Sequence, residues 1–179
     1  MIGWGRSAHK NRVVLSEAER REKFGKKASI MATPRYYDVH ADSGISSSYA
    51  DPDCEWILLD TTESDAAVGS AIVTALSQSR FLSLDDREQE IADKIAQRER
   101  FLIQRYGYKS ADKMGKETKS VGVWLTKGQM TLTPFHTDDL ESFSGLDKDQ
   151  NVIIPGDSSP EQIGAAFRLA LSRCTSRYD

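Results

Sequence analysis

Trp56-Ile57-Leu58-Leu59-Asp60, followed by Val68-Gly69-Ser70-Ala71-Ile72-Val73-Thr74-Ala75-Leu76-Ser77, is a phrase this chain writes twice. About 95 residues later, Val152-Ile153-Ile154-Pro155 precedes Ile163-Gly164-Ala165-Ala166-Phe167-Arg168-Leu169-Ala170-Leu171-Ser172. Each copy is a short apolar run, a turn, and a segment spelling apolar-Gly-x-Ala-apolar-x-x-Ala-Leu-Ser. The continuous run Trp56 to Leu59 suits a strand covered on both faces. Val68, Ile72, Ala75 and Leu76 fall on one stripe at helical spacing. A strand that hands the chain to such a helix makes an α/β layer unit. Glycine inside a helix costs about 0.5–1 kcal/mol relative to alanine. Its recurrence at one register predicts close packing of each helix on a sheet.

Other elements extend outward from this repeat. The first repeated helix is expected over about Ser64 to Ser79. Ser159-Pro160-Glu161-Gln162 starts the second with an N-cap, a proline at the first helical position and a capping-box glutamine. A long helix is expected from Asp85 to Tyr106, with Ile91, Ile95, Leu102 and Tyr106 as its buried seam and Gly107 ending it. Ile30 to His40 reads as a strand region and Asp42 to Asp53 as loop. Val121, Val123 and Leu125, then Met130, Leu132 and Pro134, alternate with other residues around Lys127-Gly128, which marks an antiparallel hairpin. Residues 108–119 are expected to be a loop, with room for one helical turn, and residues 137–150 a loop. The fold class is therefore α/β, a single domain with a mixed β-sheet and flanking helices. We divide the chain into a basic arm over residues 1–29, with a short helix from Glu17 to Phe24 capped by Ser16 and Glu19, and one domain over 30–179.

With 179 residues, 39% hydrophobic and 28% charged, the chain has enough length for a proper core. No run approaches the roughly 18 apolar residues of a membrane span. Arg6, His9, Lys10 and Arg12 interrupt any signal-peptide core, so a cytoplasmic location is expected. Cys54 and Cys174 are too few and too distant for a disulfide framework, and are expected to be reduced and structural. The net charge of -3 is uneven. Residues 1–30 hold eight Lys/Arg against three Glu, and the remainder holds 16 Lys/Arg against 24 Asp/Glu. An acidic body fits a basic partner better than it fits nucleic acid.

Signatures of chemistry are sparse. There is no Gly-x-Ser-x-Gly elbow, no Walker loop and no Gly-x-Gly-x-x-Gly. Asp38-Val39-His40-Ala41-Asp42 and His136-Thr137-Asp138-Asp139 each set a histidine among acids, and would form a metal site if the two loops met. On a strand, Asp38, His40 and Asp42 would share a face. The simpler reading is that these acids decorate strand ends. The acidic stretch 137–150 carries Asp138, Asp139, Glu141, Asp147 and Asp149 against Lys148. Such a surface would steer association with a basic partner.

Lys119-Ser120-Val121-Gly122-Val123-Trp124, Thr133-Pro134-Phe135-His136, Val152-Ile153-Ile154-Pro155 and Ser158-Ser159-Pro160-Glu161-Gln162-Ile163-Gly164 resemble the CdiI family, the immunity proteins of bacterial contact-dependent growth inhibition. Thr33-Pro34-Arg35-Tyr36-Tyr37 and the first helix phrase agree with it, so the resemblance covers most of residues 30–174. It implies a cytoplasmic inhibitor with no catalysis and no cofactor of its own. Its implied partner is the C-terminal toxin domain of its own strain's large surface effector, a domain that in such systems is often a nuclease with a basic active site. The shared phrases are packing motifs and do not locate the toxin contacts. From the residues we expect Asp138, Asp139, Glu141, Asp147 and Asp149 to meet the toxin. Two rivals stand beside this reading: a metal-dependent enzyme built on His40 and His136, and a nucleic-acid-binding regulator using the basic arm.

Overall fold

A computed structural model describes residues 16–45, 47–140 and 142–179. In chain order the elements are α1 (Glu17–Phe24), β1 (Lys26–Ala32), β2 (Tyr36–Ser43), β3 (Tyr49–Ala50), β4 (Ile57–Asp60), α2 (Asp65–Gln78), α3 (Glu88–Tyr106), α4 (Ala111–Glu117), β5 (Lys119–Thr126), β6 (Gln129–Thr137), β7 (Phe143–Gly145), β8 (Val152–Pro155), α5 (Pro160–Arg173) and β9 (Thr175–Ser176). Single 3-10 turns at Asp85–Arg87 and Lys148–Gln150 precede α3 and β8. The expected strand over Ile30 to His40 is in fact a hairpin of β1 and β2, and β1 begins within the basic stretch, at Lys26. The helical turn allowed for in the segment before β5 is α4, seven residues long and capped by Ser110. The loop expected over 42–53 contains β3, and the one over 137–150 contains β7.

Among the described residues the strands form one nine-stranded sheet. Its main path runs β4-β2-β1-β5-β6-β8, every neighbour antiparallel. The sheet is mixed only through β9, which lies parallel to β6. The β5–β6 turn has both Lys127 and Gly128 at positive φ, 50° and 71°, the pair of left-handed residues that a two-residue hairpin turn requires.

The register shows that the duplication is larger than one strand and one helix. The pair Ile30↔Val39 in the first hairpin corresponds to Val123↔Leu132 in the second. Val39↔Ile57 corresponds to Leu132↔Val152. At the centre, Ala28↔Val123 and Ile30↔Val121 exchange with one another, and Ser29 faces Gly122 between them. The unit β1-β2-β4-α2 is thus repeated as β5-β6-β8-α5 about a pseudo-two-fold axis at the Ser29–Gly122 pair. Helices α3 and α4 are the connection between the copies.

Helices α2 and α5 cover one sheet face and pack on each other. Ala28, Ile30, Val39, Val68, Ile72, Val121, Leu132, Ile163 and Phe167 form their shared core. The two helix glycines make this crossing possible. A Cβ on Gly69 would lie 1.9 Å from the Pro160 carbonyl oxygen, and one on Gly164 would lie 2.0 Å from that of Asp65. The close approach is therefore helix to helix, not the helix-to-sheet contact expected from the sequence. Each glycine meets the first residue of the other helix, as the pseudo-symmetry demands. Ser64 caps α2, and Ser159 with Gln162 forms the capping box of α5.

Candidate functional site

The second sheet face is the one that carries polar chemistry, and α3 lies against its β2 and β4 part. Along β2 the side chains of Tyr36, Asp38, His40 and Asp42 alternate away from the core residues Tyr37, Val39 and Ala41. Asp38, His40 and Asp42 therefore share a face, as period-two geometry requires. Asp38 is 1% exposed and held by the Arg98 guanidinium of α3 through Nη2–Oδ1 at 2.6 Å and Nε–Oδ2 at 3.1 Å. Asp42 accepts a 2.5 Å bond from the Ser29 hydroxyl and lies 3.5 Å from His40 Nε2. The His40 ring stacks on Trp56 with centroids 4.5 Å apart. The serine bonds the carboxylate and not the imidazole, so this trio is not arranged to activate a nucleophile.

Arg98 and Lys94 also correct the expected seam of α3. Ile91 and Leu102 are buried, but Ile95 is 44% exposed. Lys94 reaches inward to the carbonyls of Pro52 and Cys54, and Arg98 to Asp38. Polar side chains fill contact positions that an apolar pattern assigns to isoleucine. Tyr106 keeps its place, stacked on Tyr36 at 4.6 Å.

His136 lies elsewhere. His40 faces Ser29, Ser29 faces Gly122, and Gly122 faces Thr133, which is three residues short of His136. Three inter-strand steps are about 14 Å and three residues of strand about 10 Å. The two imidazoles cannot share a metal ion, and the two-histidine metal site expected from the sequence is not assembled. His136 Nδ1 instead pairs with the Thr175 hydroxyl at 2.7 Å. Among the described residues, no group of three or more His, Cys, Asp and Glu is placed to hold a metal. Cys54 and Cys174 are free, buried thiols whose pKa burial raises.

The acidic stretch is organised by β6 and β7. Asp138 and Asp139 form the tip between these strands, where both amides donate to the Ser142 carbonyl. The Asp138 carboxylate accepts the Ser144 hydroxyl at 3.1 Å. The residues just after β9 brace this tip: Arg177 donates to the Asp138 carbonyl and the Tyr178 hydroxyl to Asp139 Oδ1. Asp147 and Asp149 are exposed at the other end of β7, where the Leu146 amide donates to the Pro134 carbonyl. From Pro134 to Asp138 the strand advances about 13 Å. The acids thus form two pairs along one strip. Glu141 lies outside the described residues, as do Arg6, Lys10 and Arg12 of the basic arm.

A second acidic centre was not visible as a site in the sequence. Asp51, fully buried, accepts from Arg80 Nε at 2.8 Å, Arg80 Nη2 at 2.6 Å and the Ser43 hydroxyl at 2.6 Å. Asp53 joins Arg80 to Arg87, and Arg87 also binds Glu90. Each of these groups has an opposite partner within the chain, three carboxylates sharing two guanidiniums. The network ties Ser43, Asp51 and Asp53 to Arg80 after α2 and to Arg87 at the start of α3.

The model of the CdiI family, CDI immunity protein, matches residues 26–174, from the first residue of β1 to the C-cap of α5. This chain belongs to the CdiI family. It is 32% identical over 166 residues to immunity protein CdiI-YPIII of Yersinia pseudotuberculosis serotype O:3 (strain YPIII), covering 82% of this chain and 94% of that protein. Its fold matches a Neisseria meningitidis protein of unknown function with TM-score 0.77 and 28% identity, over 83% of this chain and 94% of that one. It also matches a chain of the CdiA-CT/CdiI toxin and immunity complex from Yersinia pseudotuberculosis with TM-score 0.78 and 29% identity, over 84% and 97%. The family match spans both copies of the internal repeat. No helix among the described residues is long and apolar enough to cross a membrane.

Proposed function

We propose that this CdiI chain binds and neutralises the C-terminal toxin domain of its cognate contact-dependent growth inhibition effector, acting in the cytoplasm and without catalysis of its own. The observation that carries this reading is family membership joined to a fold shared with an immunity chain solved in complex with its toxin. We further propose that the toxin is a nuclease. The acidic excess of residues 31–179 and the strip of Asp138, Asp139, Asp147 and Asp149 complement a phosphate-binding cleft.

The test is co-purification with the cognate toxin domain, followed by RNA and DNA cleavage assays with and without the immunity chain. A stoichiometric complex and abolished cleavage are expected. An active toxin that ignores this chain would end the reading, and a non-nucleolytic toxin would end only its finer part. Replacing the four aspartates by lysine should slow association and weaken its salt dependence. Unchanged association kinetics would remove the strip from the interface.

A further inference from the structure

The described residues form two apolar cores that share no side chain. The larger is closed by α2 and α5 on one sheet face. The smaller lies on the other face, where Leu102 of α3, Tyr108 just beyond it and Met114 of α4 pack with Tyr36. These four are its buried residues, and Leu58, Ile103 and Tyr106 fill its margin. Along its 19 residues α3 buries only Ile91 and Leu102. So small an apolar attachment supplies little of the hydrophobic stabilisation that holds the other helix layer.

What holds the rest of α3 is polar. Arg87 pairs with Asp53 ahead of its first turn. Lys94 donates to the carbonyls of Pro52 and Cys54. Arg98 holds Asp38, and Arg35 donates to the Tyr106 carbonyl at the end of the helix. The sheet face on this side carries Ser29, Asp38, His40, Asp42 and Ser120, all turned away from the larger core. Such groups accept water where an apolar face would not. A buried ion pair gains in Coulomb attraction about what it loses in desolvation, so releasing Asp38 and Arg98 together into water costs little. Removing one partner while the other stays buried costs far more. The segment is bounded by the single 3-10 turn at Asp85–Arg87 and by the extended cap residue Thr118. The sheet ladders and the α2–α5 crossing lie outside it.

We infer that α3 and α4 form a hinged cover, which opens as a unit while the sheet and the α2–α5 layer stay folded. Opening uncovers Tyr36 and Asp38 and leaves the larger core intact. It exposes less surface than global unfolding does, so its free energy falls less steeply with urea. The open form therefore stays minor, and global unfolding overtakes it before the midpoint.

The experiment is native-state hydrogen exchange of the full chain, followed amide by amide as urea is raised. The amides of residues 95–102 should converge on one opening with a shallow urea dependence. Their protection should lie roughly 100-fold or more below that of the slowest amides of α2, β1 and β5. Two variants separate the cover from the core. Ile72→Val removes one methylene from the larger core, where Ile72 is fully buried. It should lower protection of the core amides by roughly 2- to 10-fold and leave α3 unchanged, because that core is still packed in the open form. Arg98→Met leaves Asp38 buried and unpaired, and should lower α3 protection by about 10-fold or more. One protection level and one urea slope shared by α3 and the core would overturn the inference. So would an Ile72→Val variant that weakens α3 and the core by the same factor. Unchanged α3 exchange in Arg98→Met would remove the ion pair as the latch and overturn it as well.

Discussion

Asp51 shows how a single residue holds a segment in place. Burial acts to raise its pKa, but hydrogen bonds from Arg80, Ser43 and the Asp53 amide outweigh burial and leave it below the usual carboxylate range. Asp53 is lowered further by Arg87 and Arg80, although its exposure to solvent discounts its share of stability. A carboxyl whose folded-state pKa is depressed contributes stability that is complete above its unfolded value near 4, and that is lost as pH falls through the folded value. The urea midpoint should therefore stay level from pH 7 to about pH 5 and decline below about pH 4. Asp51→Asn should lower the midpoint at pH 7 and make the acid decline shallower. A difference between variant and wild type that stays constant from pH 7 to pH 3 would contradict this account. Arg98 and Asp38 make a comparable buried pair under α3. There the arginine orients a long helix that would otherwise have little apolar surface to hold it, since Ile95 faces outward.

Among the elements, α2 and α5 carry the clearest test of packing. Alanine in place of a helix glycine gains about 0.5–1 kcal/mol of intrinsic helix stability. At Gly69 and Gly164 the new Cβ would overlap a backbone carbonyl of the facing helix, which cannot rotate aside. Overpacking of a core costs about 1–3 kcal/mol, so the clash should win. Gly69→Ala and Gly164→Ala should each lower the urea midpoint, and an unchanged or raised midpoint for either would show that the helices can separate at little cost. These elements were also the most legible in the sequence. Ser159 and Gln162 announce a helix start through local hydrogen bonding and Pro160 through its fixed φ, and Lys127-Gly128 announces a turn through φ alone. The meaning of the glycines was harder to read, because a repeat shows that something comes close without showing what. The seam of α3 was misread because Lys94 and Arg98 find partners on β2 and the 51–54 loop, far away in sequence. The acidic strip could be located, whereas the row of Trp124, Thr131 and Ile153 across β5, β6 and β8 could not. It exists only through the register of these three strands.

For the molecule as a whole, the pseudo-symmetry joins the two copies and does not separate them into domains. The β1–β5 ladder runs through the centre of the sheet, and the core residues Ile30, Val121, Ala28 and Val123 belong to opposite copies. The α2–α5 crossing adds a second contact between copies on the helix layer. Neither copy retains a covered core once the other unfolds, so both should unfold in one cooperative transition. Trp56 stands at the entrance to β4 in the first copy and Trp124 on β5 in the second. With Trp4 replaced by phenylalanine in both, Trp56→Phe leaves a fluorescence reporter in the second copy and Trp124→Phe leaves one in the first. In each variant the urea midpoint from fluorescence should coincide with the midpoint from far-UV circular dichroism. A fluorescence midpoint displaced from the dichroism midpoint in either variant would mean that the copies unfold separately. The central ladder and the crossed helices would then be contacts between two folding units and not the shared core of one.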